Sequence, residues 1–414
     1  MQFINLKYKP SKEDLVVEFY VEPNVSMEKA ANAIAGESSI GTWTKVTTME
    51  RYIAENLRPT VFSIKGKYIR IAYPTKLFEL NNMSGILSAI AGNIFGMKDL
   101  NNLKLIGIDW PDKIIKSFKG PKYGIDGIRK LLKVKKRPLI GTIIKPKIGL
   151  SYKKHAKVAY EAWIGGCDIV KDDENLTNQL FNPFNKRVVE TLKMRDKAEK
   201  ETGEVKVYIP NVTAEVDEMK KRAHFIKKHG GRYMMIDVVT VGFAGLQTMR
   251  DENLNLVIHG HRAMHAALTR GRMGISMFAL AEIYRLIGVD QLHIGTIVGK
   301  MEGSREEVRD IKNELSQAFV KPKKHVLETR WGKIKPIFPV CSGGLHPGHV
   351  DKLIKNIGNN IIIQMGGGIH WNPRGTKYGA MGARQAVEAI MQKISLKKYA
   401  KTHRELKEAL DRFG

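Results

Sequence analysis

Lys171, Asp172, Asp173 and Glu174 stand in a row at the end of the apolar run "CDIV" (167–170). Three adjacent carboxylates repel one another and lower strand propensity, so a strand end built this way asks for a purpose. Asp173 and Glu174 offer the oxygen donors that a hard divalent cation such as Mg²⁺ takes, while leaving positions for water and substrate. In an extended chain Lys171 and Asp173 share one face and Asp172 takes the other. A capping or salt-bridge cluster is the plainer alternative. Lys171 is the odd member, because an ammonium beside a metal ion is repelled. Its amine fits only if it is neutral or converted to an anion.

Similar polar endings recur downstream and upstream. "GTIIKPK" closes on Lys145-Pro146-Lys147, and "HGHRAMH" carries His261-Arg262. "HIGTIVGK" carries His293 and leads to Lys300, while "CSGG" is Ser342-Gly343-Gly344. "QMGGG" runs from Gln364 and Met365 into Gly366 and Gly367. Glycine lets backbone N–H groups approach a phosphate closely, although tight turns alone also use it. Arg262 with His293 is a candidate clamp for a phosphate or carboxylate, since arginine binds such groups with two parallel hydrogen bonds. A lone strand-end histidine is more often structural. Its convergence with the other endings is what favours function.

The elements that must position these residues are short β-branched runs at 138–147, 167–175, 206–214, 233–242, 255–265, 291–300, 334–344 and 361–370. Helical patterns such as 154–163, 275–288 and 378–392 lie between them. Eight strand–helix units predict an α/β protein with a C-terminal (β/α)₈ TIM barrel, whose strand ends meet at one face. A doubly wound open sheet is the alternative, but no G-x-G-x-x-G follows the first strand. Residues 1–120 predict a smaller N-terminal α+β domain. It has a strand at 15–23, a helix at 26–38 begun by Ser26, and a hairpin at 60–74 turning near Gly66. The Gly/Pro-rich joint "GPKYGIDG" (120–127) sets the boundary, leaving 121–414 as the barrel domain.

The composition excludes several classes. The chain has 414 residues, 43% hydrophobic and 27% charged, as expected of a folded globular protein. No stretch is long and apolar enough to span a bilayer, and the first residues carry no apolar signal core. Two cysteines, Cys167 and Cys341, make no disulfide framework and lack zinc-ligand spacing. A reducing cytoplasm fits. The balance of 69 Lys+Arg against 42 Asp+Glu gives +27, which favours anionic partners: phosphorylated metabolites or nucleic acid. The basic residues are dispersed through helical segments with no interleaved aromatic signature, so no nucleic-acid partner is expected.

Read together, "GTIIKPKIGLS", "GGCDIVKDDEN", "HGHRAMHAA", "HIGTIVGKMEG", "PVCSGG" and "QMGGG" resemble the large chain of ribulose-1,5-bisphosphate carboxylase/oxygenase (RuBisCO). "GESSIGTWTKV" (36–46) and "GNIFGMK" (92–98) extend the likeness over nearly the whole chain, in wording most similar to archaeal form III enzymes. The resemblance implies Mg²⁺-dependent carboxylation of ribulose 1,5-bisphosphate by CO₂ to two 3-phosphoglycerates, with O₂ as a side substrate. It implies that Lys171 takes up activator CO₂ as a carbamate and binds Mg²⁺ with Asp173 and Glu174. Lys145 becomes the acid/base at the C2–C3 region, and His261 the second proton acceptor. Lys300 becomes the lid lysine that stabilises the added carboxylate. Substrate would be held by Lys147, Arg262, His293, Ser342, Gly343, Gly344, Gln364, Met365, Gly366 and Gly367. Glu37, Thr42, Trp43 and Asn93 would come from the neighbouring subunit of a homodimer or ring of dimers, without a small subunit. Nucleotide ribose salvage is the pathway that form III implies.

Clustering of Lys145, Lys147 and Lys300 predicts that each lowers the others' pKa, which suits proton transfer. Ile143 and Ile294 stand where plant-type members have threonine and serine, and Trp371-Asn372 where a Gly-His type pair is expected. A RuBisCO-like enolase or isomerase of sulfur salvage is the alternative within the family. Such relatives lose parts of the carboxylation set, which is intact here. A basic nucleic-acid-binding protein is the non-enzyme alternative, and it leaves the strand ends unexplained.

Overall fold

The strand–helix alternation folds as eight parallel strands: β1 (Leu139–Ile143), β2 (Ile169–Lys171), β3 (Val207–Ile209), β4 (Tyr233–Asp237), β5 (Val257–His261), β6 (Gln291–Gly295), β7 (Phe338–Ser342) and β8 (Ile362–Gln364). They were identified in a computed structural model that describes residues 1–42, 44, 46–298 and 304–413. Each strand lies inside one of the eight apolar runs. The order around the sheet is β3-β2-β1-β8-β7-β6-β5-β4. A bridge between Asn211 and Met235 joins the two ends, with Met235 N donating to Pro210 O at 2.8 Å and Val212 N to Met235 O at 3.0 Å. The sheet is thereby nearly closed into a barrel.

The floor of this barrel is apolar. Leu139, Ile169, Val207, Tyr233, Met235, Val257, Phe338, Val340 and Ile362 pack with Ile125, Ile128 and Leu132 of the helix Gly124–Leu132. Each such burial contributes roughly 1.5–3 kcal/mol. Asp290 ties this helix to the floor by accepting from Tyr123 N (2.6 Å), Gly124 N (3.1 Å) and Ile258 N (3.0 Å). Arg137 grips Asp168 with two 2.7 Å bonds at the start of β2. Stability is thus concentrated at the strands' N-terminal ends, leaving the C-terminal ends for chemistry.

The chain divides into two compact units. The barrel unit comprises Pro121–Ala263, Val289–Ser316 and Pro336–Gly414; the other comprises Met1–Gly120, Met264–Gly288 and Gln317–Lys335. The second of these is built on a sheet ordered Gly274–Ile275, Leu100–Asp109, Asp14–Pro23, Tyr68–Pro74 and Thr60–Lys65. The last four are antiparallel neighbours, whereas Gly274–Ile275 runs parallel to Leu100–Asp109. Ser26 caps the helix Met27–Glu37 by accepting from Lys29 N, and the hairpin turns at Gly66, whose φ is +57°. Segments 264–288 and 317–335 were read from the sequence as part of 121–414, yet they make their contacts with the N-terminal sheet. Gly274–Ile275 adds a strand to it, and Glu282 accepts from Ile108 N at 3.0 Å. No helix among the described residues is long and apolar enough to cross a membrane.

Candidate active site

Strand pleat decides which way the row at 171–174 points. Lys171 is 1% exposed, and its Nζ donates to Asp172 O (2.8 Å) and to Met235 Sδ (3.3 Å) inside the barrel. Asp172 points the other way, toward the helices Tyr152–Ile164 and Phe184–Thr202. It accepts from Arg187 Nε (3.1 Å), Tyr208 OH (2.7 Å) and Asn211 N (3.0 Å), and His155 Nε2 lies 3.1 Å away. Burial pushes its carboxyl up, but Arg187, His155 and Tyr208 outweigh this and hold it at about 2. Asp172 is therefore a structural anion, as the alternating pattern predicted.

Asp173 and Glu174 face the strand ends. Lys145 Nζ donates to Asp173 Oδ2 at 2.7 Å, and Lys147 Nζ to Glu174 Oε1 at 3.2 Å. Burial raises the Glu174 carboxyl, and His261, Lys171 and Lys147 overcome that to bring it to about 2. For Lys171 burial is the largest influence and lowers the pKa, against four opposing carboxylates: Glu174, Asp173, Asp237 and Asp172. The expectation that clustered lysines depress one another fails for Lys147. Its pKa is raised, first by Glu174 and then by Asp173, whose negative charges favour the ammonium.

His261 ends β5 with Nδ1 3.0 Å from Asp237 Oδ1 and Nε2 3.7 Å from Glu174 Oε2. Asn211 Nδ2 links Glu174 O (3.2 Å) and Asp237 Oδ2 (3.4 Å). Arg262 follows, pulled down to about 10 by burial with Glu307 opposing. A Cβ on Gly295 would come within 2.8 Å of Arg262 Nη2, so the guanidinium lies against the end of β6. His293 is 3% exposed and its Nδ1 lies 2.7 Å from Ser342 Oγ.

The two glycine loops adjoin, since a Cβ on Gly368 would run into Leu345 O, and one of them passes Lys145. Gly343 and Gly344 hold φ of +117° and +71°, a region closed to most side chains. A Cβ on Gly366 would stand 3.2 Å from Lys145 Cε, so the absence of a side chain lets the lysine pass. Gln364 is buried at the end of β8, packed against Gly141 of β1, and Met365 O accepts from Thr142 Oγ1 at 2.7 Å. Gly367 opens a short helix, Gly367–His370. Beyond it Trp371 and Asn372, unusual in the sequence reading, face the C-terminal helix Arg404–Phe413. The Trp371 ring is 5.1 Å from Phe413, and Asn372 Nδ2 donates to Glu408 Oε2 at 3.1 Å. Ile294 is fully enclosed, whereas Ile143 is half-buried at the end of β1.

The barrel unit thus joins Lys145 to Asp173, and Lys147 and His261 to Glu174, with Lys171 buried within the electrostatic reach of Asp173 and Glu174. Lys300 and Trp43 lie outside the described residues. In the other unit Asn93 Nδ2 donates to Glu37 Oε1 at 3.4 Å, and Glu37 and Thr42 line a cavity of about 750 Å³. Four barrel residues escaped the sequence reading. Asp237 and Asn211 stand at the ends of β4 and β3, the two runs whose polar endings were passed over. His259 and Gln291 precede His261 and His293 by two, the strand period that puts them on the same inward face.

As a cation site the donor set is half complete. Among the described residues no group of three His, Cys, Asp or Glu could hold a metal. Two carboxylates do act on a buried amine whose pKa burial lowers. Conversion of that amine to an anionic oxygen donor would supply the missing ligand, so the residues fit a hard divalent ion.

The family model for the ribulose bisphosphate carboxylase large chain catalytic domain matches residues 124–413, and that for its N-terminal domain matches 2–114. Ribulose bisphosphate carboxylase of Methanocaldococcus jannaschii is 53% identical, covering 99% of both chains. That of Methanosarcina barkeri is 49% identical over 99% of this chain and 98% of its own. The dimeric archaeal RuBisCO of Hyperthermus butylicus superposes with a TM-score of 0.94 at 42% identity, over 100% of this chain and 98% of that one. The octameric enzyme of Pyrococcus horikoshii does so at 0.92 and 45%, over 99% and 96%. Family models that match nearly end to end, on a barrel whose mouth gathers these lysines, carboxylates and histidines, make this chain a member of the ribulose bisphosphate carboxylase large-chain family.

Proposed function

We propose that the protein carboxylates ribulose 1,5-bisphosphate with CO₂ and water to two 3-phosphoglycerates, and oxygenates it as a side reaction. The observation that carries this reading is the meeting of Lys145 with Asp173, Lys147 with Glu174 and His261 with Asp237 around the buried Lys171. Lys171 carrying CO₂ as a carbamate, Asp173 and Glu174 would hold Mg²⁺. When bound, that ion supplies Lewis-acid polarisation and a template for the substrate oxygens.

The chain's own residues do the rest. Lys145 Nζ moves protons at the C2–C3 region, within reach because Gly366 leaves it room. His261, oriented by Asp237 through Nδ1, keeps Nε2 for a proton released during hydration and C2–C3 cleavage. Arg262 binds one phosphate, and His293, whose two ring nitrogens are engaged by His259 and Ser342, lines that pocket. Backbone N–H groups of Gly343, Gly344, Gly366 and Gly367 bind the other, while Lys147 and Ser342 contact the sugar. Lys300 stabilises the carboxylate gained from CO₂. The relatives' dimeric and octameric structures support assembly from dimers. In that assembly Glu37, Thr42, Trp43 and Asn93 complete the neighbouring site. We assign the reaction to nucleotide ribose salvage.

Purified protein supplied with Mg²⁺ and labelled bicarbonate should place label in 3-phosphoglycerate. No labelled product under anaerobic conditions at any temperature tried would refute the carboxylase reading and leave the enolase or isomerase one. Mixing Glu37→Gln with Lys171→Ala protein should restore activity that neither has alone. Failure of that mixture to do so would remove the shared-site reading.

A further inference from the structure

We propose that Gln291 and His259 are positioning residues that set the direction of a buried hydrogen-bond chain, holding the Ser342 hydroxyl as an acceptor toward a substrate hydroxyl. The inference rests on the function proposed above only for the identity of that substrate, a sugar bisphosphate.

The chain runs across three strands. Gln291 Oε1 lies 2.8 Å from His259 Nδ1. His259 Nε2 lies 2.9 Å from His293 Nε2, with the two rings nearly perpendicular at 89°. His293 Nδ1 lies 2.7 Å from Ser342 Oγ. Parallel register sets Gln291 beside His259, and the period of two sets His293 on the same face as Gln291. Gln291 and His259 are fully enclosed and His293 is 3% exposed, so solvent cannot substitute for a missing partner.

A neutral imidazole has one donor and one acceptor nitrogen, so one choice propagates along the chain. Burial, the largest influence on both rings, holds them neutral by pushing His259 and His293 well below the usual histidine range. The Gln291 carbonyl can only accept, so His259 carries its proton on Nδ1 and presents a bare Nε2. His293 then donates from Nε2 and presents a bare Nδ1. The Ser342 hydroxyl donates its single proton inward to that nitrogen. Its lone pairs are left for the substrate, and they accept from a sugar hydroxyl. With the chain reversed, Ser342 would donate outward and favour a phosphate or carbonyl oxygen instead. Gln291 Nε2 is buried with no hydrogen-bond partner among the described residues, so the amide acts on the ring through Oε1 alone.

Nitrogen-15 NMR of histidine-labelled protein reads the tautomers directly, with signals assigned by their loss in His259→Gln and His293→Gln. The expected pattern is His259 protonated on Nδ1 and His293 protonated on Nε2. Gln291→Met removes the acceptor at nearly constant size. It should mix the tautomers and raise KM for ribulose bisphosphate about tenfold, with kcat changed less than about twofold, the scale of one lost directional bond. His293 protonated on Nδ1 in the unmutated protein would overturn the inference, and that measurement needs no variant to fold. So would Gln291→Met protein with unchanged tautomers and unchanged KM. The expected tautomers in a protein that neither binds nor turns over ribulose bisphosphate would uphold the chain's direction and refute the substrate reading.

Discussion

Lys145 Nζ sits 2.7 Å from Asp173 Oδ2, so the proposed proton-transfer amine and a proposed metal ligand share one hydrogen bond. The ammonium and a divalent cation compete for the same carboxylate oxygen. Removing the ammonium should therefore favour the cation. Lys145→Met is expected to bind Mn²⁺ several-fold more tightly, on the scale of one partly buried charge contact, while turnover is lost. Paramagnetic resonance of free Mn²⁺ reads the affinity, and unchanged or weaker binding would count against this arrangement.

Lys171 must be neutral to take up CO₂, because only the free amine is a nucleophile. Burial lowers its pKa against the pull of four carboxylates. The neutral fraction grows as pH rises toward that lowered value, so the rate of activation by CO₂ and Mg²⁺ should climb from neutral to mildly alkaline pH. Stopped-flow or preincubation assays measure it. A rate flat across that range would argue that Lys171 does not gate activation.

Asp172 has a folded-state pKa of about 2, below its ordinary 3.8. A depressed carboxyl contributes stability that is present above the unfolded value and lost as pH falls through the folded one. Asp172→Asn should cost about 3–5 kcal/mol at neutral pH, because Arg187 is left buried without its counter-charge. The gap to the unmutated protein should narrow between about pH 4 and pH 2. Urea unfolding over a pH series tests this, and a gap independent of pH would contradict it.

Phe413 joins two loops through its ring. It stacks on His346 at 4.7 Å and meets Trp371 edge-on at 5.1 Å. Arg374 adds ion pairs to Glu405 (3.1 Å) and Glu408 (2.8 Å) of the same helix. Phe413→Ala should destabilise the protein by about 1–3 kcal/mol, from lost burial and two aromatic contacts. Thermal unfolding checks it, and an unchanged midpoint would show that the helix does not brace these loops.

Much of the site was legible because each part rests on short-range rules. The strand period separated Asp172 from Lys171 and Asp173, and strand–helix alternation implied that the endings converge. Family motifs then attached roles to Lys145, His261 and the glycines. Local rules could not show that Glu174 would outweigh neighbouring cations at Lys147, since that depends on distances between separate strands. Nor could they assign Gly274–Ile275 to the N-terminal sheet, where a two-residue strand is fixed by its partner rather than its own propensity.

By itself the sequence determined which residue types stand at which strand ends, because periodicity and motif order are properties of a line. Only the tertiary structure decided the pairings Lys145–Asp173 and His261–Asp237 and the chain Gln291–His259–His293–Ser342. Those depend on barrel closure and strand register, which set residues from distant segments within hydrogen-bonding distance and, around Gln291, His259 and His293, exclude the water that would otherwise satisfy them.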